Sequence, residues 1–381
     1  MHIAFHTPFK ALHHPRPSGD LSIARSLYTY FQNREHDIRP VSSLRTRWIY
    51  HRPGRWPALL REYRRSLRKC TEMNADIWLS YHCYYKAPDL TGPFVSRRLK
   101  IPYVIFQGIY STKRRKKIST WPGFMLNRYS LLSAVHVFSN RKEDYQNLSR
   151  LLPEERLSYV APGIFPQDFS FDAKAGEKIR AAWGAGDTPV ILSAAMFRPD
   201  VKTQGLAWLI RACGRLRKKG LSFCLKIAGG GKEKPFLTQL AQKYLPGEDI
   251  FVGRIPRNKM QRFYSAGDIF AFPGIRESLG MVFLESQSCG LPVLAFDNGG
   301  IPEVVQKGGT GFLVPPFDGE AFDRSLEVLL CNKERRKKMG ETAALYVRKK
   351  HDLLQNYRRA EEKMEKIIRG RHIGPLSAQK R

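Results

Sequence analysis

Short apolar runs alternate with longer amphipathic stretches along nearly the whole chain. The runs His2–His6, Asp37–Val41, Ile77–Tyr81, Tyr103–Phe106, Val135–Ser139 and Leu157–Ala161 predict strands. Segments such as Leu21–Phe31 and Ala58–Met73 carry helical spacing and lie between them. Strands buried on both faces need helical crossovers, so this alternation predicts a parallel sheet covered on both sides. Pro, Asp, Phe and Gly interrupt the pattern over 164–175, which reads as a linker. The alternation restarts with Val190–Ala194 and continues through Phe223–Ala228, Ile250–Val252, Ile269–Phe272 and Val293–Phe296.

The expected organisation is therefore two Rossmann-like α/β domains. The first spans 1–163 and the second 176–345, with a C-terminal helix and tail over 346–381 packing back on the first. Facing one another, two such sheets would hold a ligand in a cleft at the carboxyl ends of their strands. The length agrees: 381 residues make two or three domains at about 150 residues each. No apolar run reaches the roughly 18 residues that span a bilayer. The opening MHIAFHTPF reads as a strand rather than a signal peptide. The six cysteines show no C-x₂-C spacing, which argues against zinc and for reduced thiols in the cytoplasm.

One segment concentrates the chemistry. Pro273 ends an apolar strand, a loop carries Glu277, Ser278, Leu279 and Gly280, and a helix follows from Met281 to about Cys289, stopped by Gly290 and Pro292. The amides at such a helix start form a site for a diphosphate. Glu277 and Glu285 bracket that start, and their carboxylates can accept hydrogen bonds from sugar and ribose hydroxyls.

The spacing of Glu277 and Glu285, followed by Gly290-Leu-Pro-Val-Leu-Ala, Gly299-Gly300-Ile-Pro-Glu303 and Gly311-Phe-Leu-Val, resembles the family-4 glycosyltransferases of the GT-B fold. The resemblance is strong over about 188–330 and continues more weakly to the N-terminus. It implies retaining transfer from a nucleotide-sugar donor to a glycan or lipid-linked acceptor, without a metal cofactor. The chain has no D-x-D, the usual metal–diphosphate motif of the other common transferase fold. The resemblance further implies that Arg198 and Lys202 hold the diphosphate, as a bidentate fork and a mobile point charge. Here Lys202 is followed by Thr203-Gln204-Gly205 rather than directly by Gly, a departure from the family pattern. Gly229 and Gly230 match the family's glycine turn beside the nucleotide. Gly19 matches a glycine-rich loop near the phosphate, although Ser18 or Asp20 there serves equally as a helix cap. His82 matches a histidine that contacts the transferred sugar, or else packs among Tyr81, Tyr84 and Tyr85; His6 is a weaker candidate.

The formal net charge of +31 exceeds what a nucleotide diphosphate, with about two negative charges, requires. Basic residues Arg45 to Lys69 interleave with Trp48, Tyr50 and Trp56, and Lys113–Lys117 precede Trp121, Phe124 and Met125. Basic and aromatic residues together suit an anionic membrane surface, so the expected location is the inner face of a membrane, held peripherally. A glycoconjugate of the cell surface, such as lipopolysaccharide or polysaccharide, is the expected product. The alternatives are a sugar-nucleotide epimerase on the same fold and a nucleic-acid-binding protein; no nucleic-acid module is recognisable, which argues against the latter.

Overall fold

The computed structural model describes residues 1–14 and 19–371. Ser18 and the expected tail beyond 371 lie outside them. The chain divides into two compact units, one built from 1–161 together with the segment from 354 onward, the other from 162–353.

The first unit contains β1 (His2–His6), β2 (Asp37–Ser42), β3 (Ile77–Cys83), β4 (Tyr103–Gly108), β5 (His136–Ser139) and β6 (Leu157–Tyr159). They form one parallel sheet in the order β2-β1-β3-β4-β5-β6. Between them run α1 (Gly19–Asn33), α2 (Trp56–Glu72), α3 (Gly92–Leu99), α4 (Trp121–Ser133) and α5 (Lys142–Leu148). The steps β2→β3→β4→β5 all cross the sheet in one direction and β1→β2 in the other. Right-handed crossovers therefore put α2, α3 and α4 on one face and α1 on the opposite face. Trp78, Phe106 and Phe138 fill the centre. Asp89 is fully buried there and accepts hydrogen bonds from Trp78 Nε1 (3.1 Å), the amides of Thr91 and Gly92 (2.9 Å each) and the Ser80 hydroxyl.

The second unit repeats the scheme with α6 (Ala173–Ala182), β7 (Val190–Met196), α7 (Val201–Lys218), β8 (Cys224–Gly230), α8 (Lys234–Tyr244) and β9 (Phe251–Gly253). It continues with α9 (Met260–Ser265), β10 (Ile269–Ala271), α10 (Met281–Ser288), β11 (Val293–Phe296), α11 (Ile301–Val304), β12 (Gly311–Val314), α12 (Gly319–Cys331) and α13 (Lys333–Lys350). Its sheet, also parallel, runs β12-β11-β10-β7-β8-β9.

Two boundaries differ from expectation. The 164–175 stretch lies within the second unit: Phe169 is buried in its core, and Asp172 caps α6 by accepting from the Ala175 amide at 3.0 Å. The basic C-terminal stretch is two helices. It breaks at His351-Asp352, where Ile164 is pinned on both sides, its amide on His351 O (3.0 Å) and its carbonyl on the Leu353 amide (2.8 Å). The helix after the break, α14 (Leu353–Arg371), packs on the first unit. Tyr357 lies edge-on to Tyr30 and Phe106. Glu361 accepts from Tyr30 Oη (2.5 Å) and contacts His36 Nε2 (2.6 Å). Burial pushes the Glu361 carboxyl up, but the bonds from Tyr30 and His36 and the charge of Arg34 outweigh it and leave the carboxyl below its ordinary range.

Candidate functional site

In the second unit, Asp200 caps α7 by accepting from the Lys202 amide at 2.8 Å, which sets Lys202 in the first turn. The Lys202 ammonium forms an ion pair with the Glu277 carboxylate and lies 5.7 Å from the centre of the Phe272 ring. The loop carrying Glu277 is fixed on either side of that residue. Asn298 Oδ1 accepts from the Arg276 amide (3.0 Å), and Glu277 O accepts from the Gly300 amide (3.1 Å). Only glycine permits that approach, since a methyl group at Gly300 would strike Ser278 O. Gly280 closes the loop in the left-handed region (φ 67°) and starts α10, whose N-terminus has no side-chain cap. The backbone from Ser278 through Met281 thus forms the helix start beside the Lys202–Glu277 pair.

Arg198 is exposed, with Nη2 2.9 Å from Met196 Sδ. Its segment is held from behind by the glycine turn: the Phe197 amide donates to Gly230 O at 3.1 Å, and a side chain at Gly229 would strike Ala195 O. Gly229 and Gly230 therefore have a packing duty beside any ligand duty.

Glu285 is set apart from Glu277. Its side chain is buried among α9, α10 and the turn at Arg257–Lys259, with Arg257 Nη2 3.1 Å from Oε1 and Tyr264 Oη donating to Oε2 at 3.1 Å. Burial raises the Glu285 carboxyl, partly countered by the Arg257 charge and the Tyr264 bond. Sequence reasoning passed over Arg257 and Tyr264, since neither belongs to a motif.

In the first unit, His82 is the penultimate residue of β3 and has φ 64°, a conformation that concentrates at functional sites. Its Nδ1 stands 3.3 Å from Asp20 Oδ1, one residue after Gly19. Thr7, Phe9, Tyr81, His82 and Asp20 line a shallow depression there. Burial raises the Asp20 carboxyl, but the bond and charge of His82, with Lys10, bring it below its ordinary range. His82 also packs against Phe9, Tyr81 and Tyr84. His6 is fully buried against Asp89, at 3.3 Å, within the sheet's interior.

The basic side of this unit has an apolar ridge. Ile118 (94% exposed), Trp121, Met125, Tyr129 and Leu132 project from α4 and the turn before it, and Phe94 of α3 joins Tyr129. The spacing from 121 to 132 is one helical stripe, and Arg128 lies within it. Phe124, expected among the outward aromatics, instead packs inward against Tyr110. Trp48 and Tyr50 are half-buried, Trp48 against Tyr85 and Tyr50 against His51. Between residues 45 and 128 there are 19 Lys and Arg against 4 Asp and Glu, so this stretch supplies about half of the net charge. No helix among the described residues is long and apolar enough to cross a membrane.

Residues 176–346 match the family model for glycosyl transferases group 1. The chain is 32% identical over 214 residues to a GDP-mannose-dependent alpha-(1-6)-phosphatidylinositol monomannoside mannosyltransferase of Mycolicibacterium smegmatis. That match covers 54% of this chain and 55% of the relative, so the chain spans about half the length of that protein. In architecture it resembles sucrose-phosphate synthase from Thermosynechococcus elongatus, with a TM-score of 0.72 at 17% identity over 96% of this chain and 100% of that one. It also resembles WaaG, a glycosyltransferase involved in lipopolysaccharide biosynthesis, with a TM-score of 0.63 at 18% identity over 94% and 99%. The fold is thus the GT-B architecture of those structures, with two parallel six-stranded sheets.

Proposed function

We propose that this chain is a retaining glycosyltransferase of family 4, moving a hexosyl or related sugar from a nucleotide-sugar donor to a hydroxyl of a glycan or lipid-linked acceptor, with no metal. The observation that carries this reading is the Lys202–Glu277 pair at the glycine-pinned start of α10, inside the segment that matches the family model. Arg198 and Lys202 take the diphosphate charge, and the amides from Ser278 to Met281 add donors without reorganisation. An arriving diphosphate competes with Glu277 for the Lys202 ammonium, which frees that carboxylate for sugar hydroxyls. Glu285 accepts from the ribose, and Gly229 and Gly230 let the nucleotide approach. In the first unit, His82 hydrogen-bonds a sugar hydroxyl and Gly19 marks a close approach of backbone to substrate. Retention follows from same-face attack, in which the leaving phosphate helps to deprotonate the acceptor hydroxyl and the protein supplies position and charge. A thermal-shift screen against nucleotide sugars tests the reading: one donor raises the unfolding midpoint by mass action and is hydrolysed or transferred. A panel with no stabilising donor would overturn it.

The ridge on α4, set in a basic face, supports a peripheral site on an anionic membrane, with the cytoplasmic leaflet as its location and a cell-surface glycoconjugate as the product. Apolar side chains enter the acyl boundary while Lys113–Lys117 and Arg128 meet the headgroups. Flotation with vesicles containing phosphatidylglycerol, against neutral vesicles and a DNA duplex, separates lipid from nucleic acid. Binding to the duplex alone would remove the membrane from the reading.

A further inference from the structure

Glu285 is a carboxylate taken almost wholly out of water, and its two partners come from outside its own helix. Arg257 reaches it from the turn after β9, and Tyr264 from α9. The Arg257 side chain is itself 59% exposed and lies 5.6 Å from the centre of the Phe169 ring, so one end of it meets solvent and the other a buried charge. A surface arginine directed at an interior carboxylate has little to offer stability, because the carboxylate's desolvation offsets much of the attraction. It does fix which lone pairs of that carboxylate remain open. Arg257 takes one position on Oε1 and Tyr264 one on Oε2, and each oxygen keeps a further acceptor position.

We infer that Arg257, with Tyr264, is a positioning residue that orients the Glu285 carboxylate to accept the two hydroxyls of a nucleoside ribose. This rests on the reading of Glu285 as the ribose acceptor; Arg257 acts through that carboxylate and not on the reacting atoms. Among the described residues, the charged and titratable groups facing Glu285 are Arg257, Tyr264 and, just past the end of its own helix, Cys289. Burial and the neighbouring Glu285 push the Tyr264 phenol and the Cys289 thiol well up, so both stay neutral near pH 7. Glu285 is then the group of this cluster left to titrate when Arg257 is removed. Without the guanidinium the buried carboxyl takes up a proton more readily, and a protonated carboxyl loses part of its capacity to accept.

The test is calorimetric titration with UDP, GDP, ADP and dTDP of the full chain and of Arg257→Ala, Arg257→Lys and Glu285→Gln, from pH 5.5 to 8.5. Thermal unfolding checks that each variant is folded. The expected result is that Arg257→Ala binds the preferred diphosphate roughly tenfold more weakly at the acid end, where the buried carboxyl is protonated. The deficit closes as pH rises, because the carboxylate is regained. Arg257→Lys stays near the parent, and Glu285→Gln is weak at every pH. A deficit in Arg257→Ala of the same size at every pH, or none, overturns the inference while leaving the function intact. Binding by Glu285→Gln equal to the parent removes the ribose role of Glu285 and the inference with it. A parent chain that binds none of the four diphosphates overturns the function itself.

Discussion

Gly300 in the second unit and Gly19 in the first both belong to motifs by which the sequence resembles the family-4 glycosyltransferases. At Gly300 a methyl group would strike the carbonyl of Ser278, whereas at Gly19 no atom of the described residues lies within 4 Å of where it would stand. The same contrast runs through the units. The candidate donor loop is held by backbone contacts that only particular residues allow: Gly299 and Gly300 against Glu277 and Ser278, Asn298 against Arg276 and Gly274. The candidate site of the first unit is built from side chains, Asp20 and His82 among aromatic rings. A site made by backbone close approach leaves a readable signature, and a site made by side chains on an open surface does not. The family model accordingly matches 176–346 and not the first unit.

The largest expected effect sharpens this contrast at its chemical end. Glu277→Ala and Arg198→Ala each lower turnover about a hundredfold, roughly 3 kcal/mol of transition-state stabilisation, with the fold retained. Release of nucleotide diphosphate measures it, and a rate within a few-fold of the parent would take that residue out of the site. Next comes the backbone. Gly300→Ala lowers unfolding stability by about 1–3 kcal/mol through overpacking, while Gly19→Ala stays within about 0.5 kcal/mol. Equal losses in denaturant titrations would erase the distinction between the units. On the first unit's surface, replacing both Trp121 and Met125 by Glu weakens binding to phosphatidylglycerol vesicles roughly tenfold, since two buried apolar side chains are lost from the acyl boundary. Unchanged flotation would show that the ridge is not the contact. The smallest effect concerns the junction of α14. Glu361→Gln costs about 1 kcal/mol near neutral pH. The folded-state carboxyl of Glu361 is depressed, so its contribution is complete above the ordinary carboxyl range and is lost as pH falls through the depressed value. The gap between parent and variant should therefore close on acidification.

Much of the architecture was legible because buried parallel strands read as apolar runs. β1 and β11 have the bounds expected for them, and nine further strands overlap their expected runs. β12 was recognised only as the motif Gly311-Phe-Leu-Val and not as a strand. The 164–175 stretch looked like a linker because its Pro and Gly mark turns, and composition alone does not show that Phe169 fills the second core. The Lys202–Glu277 contact joins residues whose motifs were each visible, although their meeting was not. Arg257 escaped notice because one arginine in so basic a chain carries no signal until a buried carboxylate is found opposite it.

The docking of α14 on the first unit has a consequence for how the chain is made. The half of the protein that leaves the ribosome first lacks its final helix until all of 162–353 has been synthesised. In that interval Tyr30, His36 and Phe106 have no Tyr357 or Glu361 to meet. The early-made half is thus the last to be completed, and its unfinished side is where a chaperone would find the nascent polypeptide.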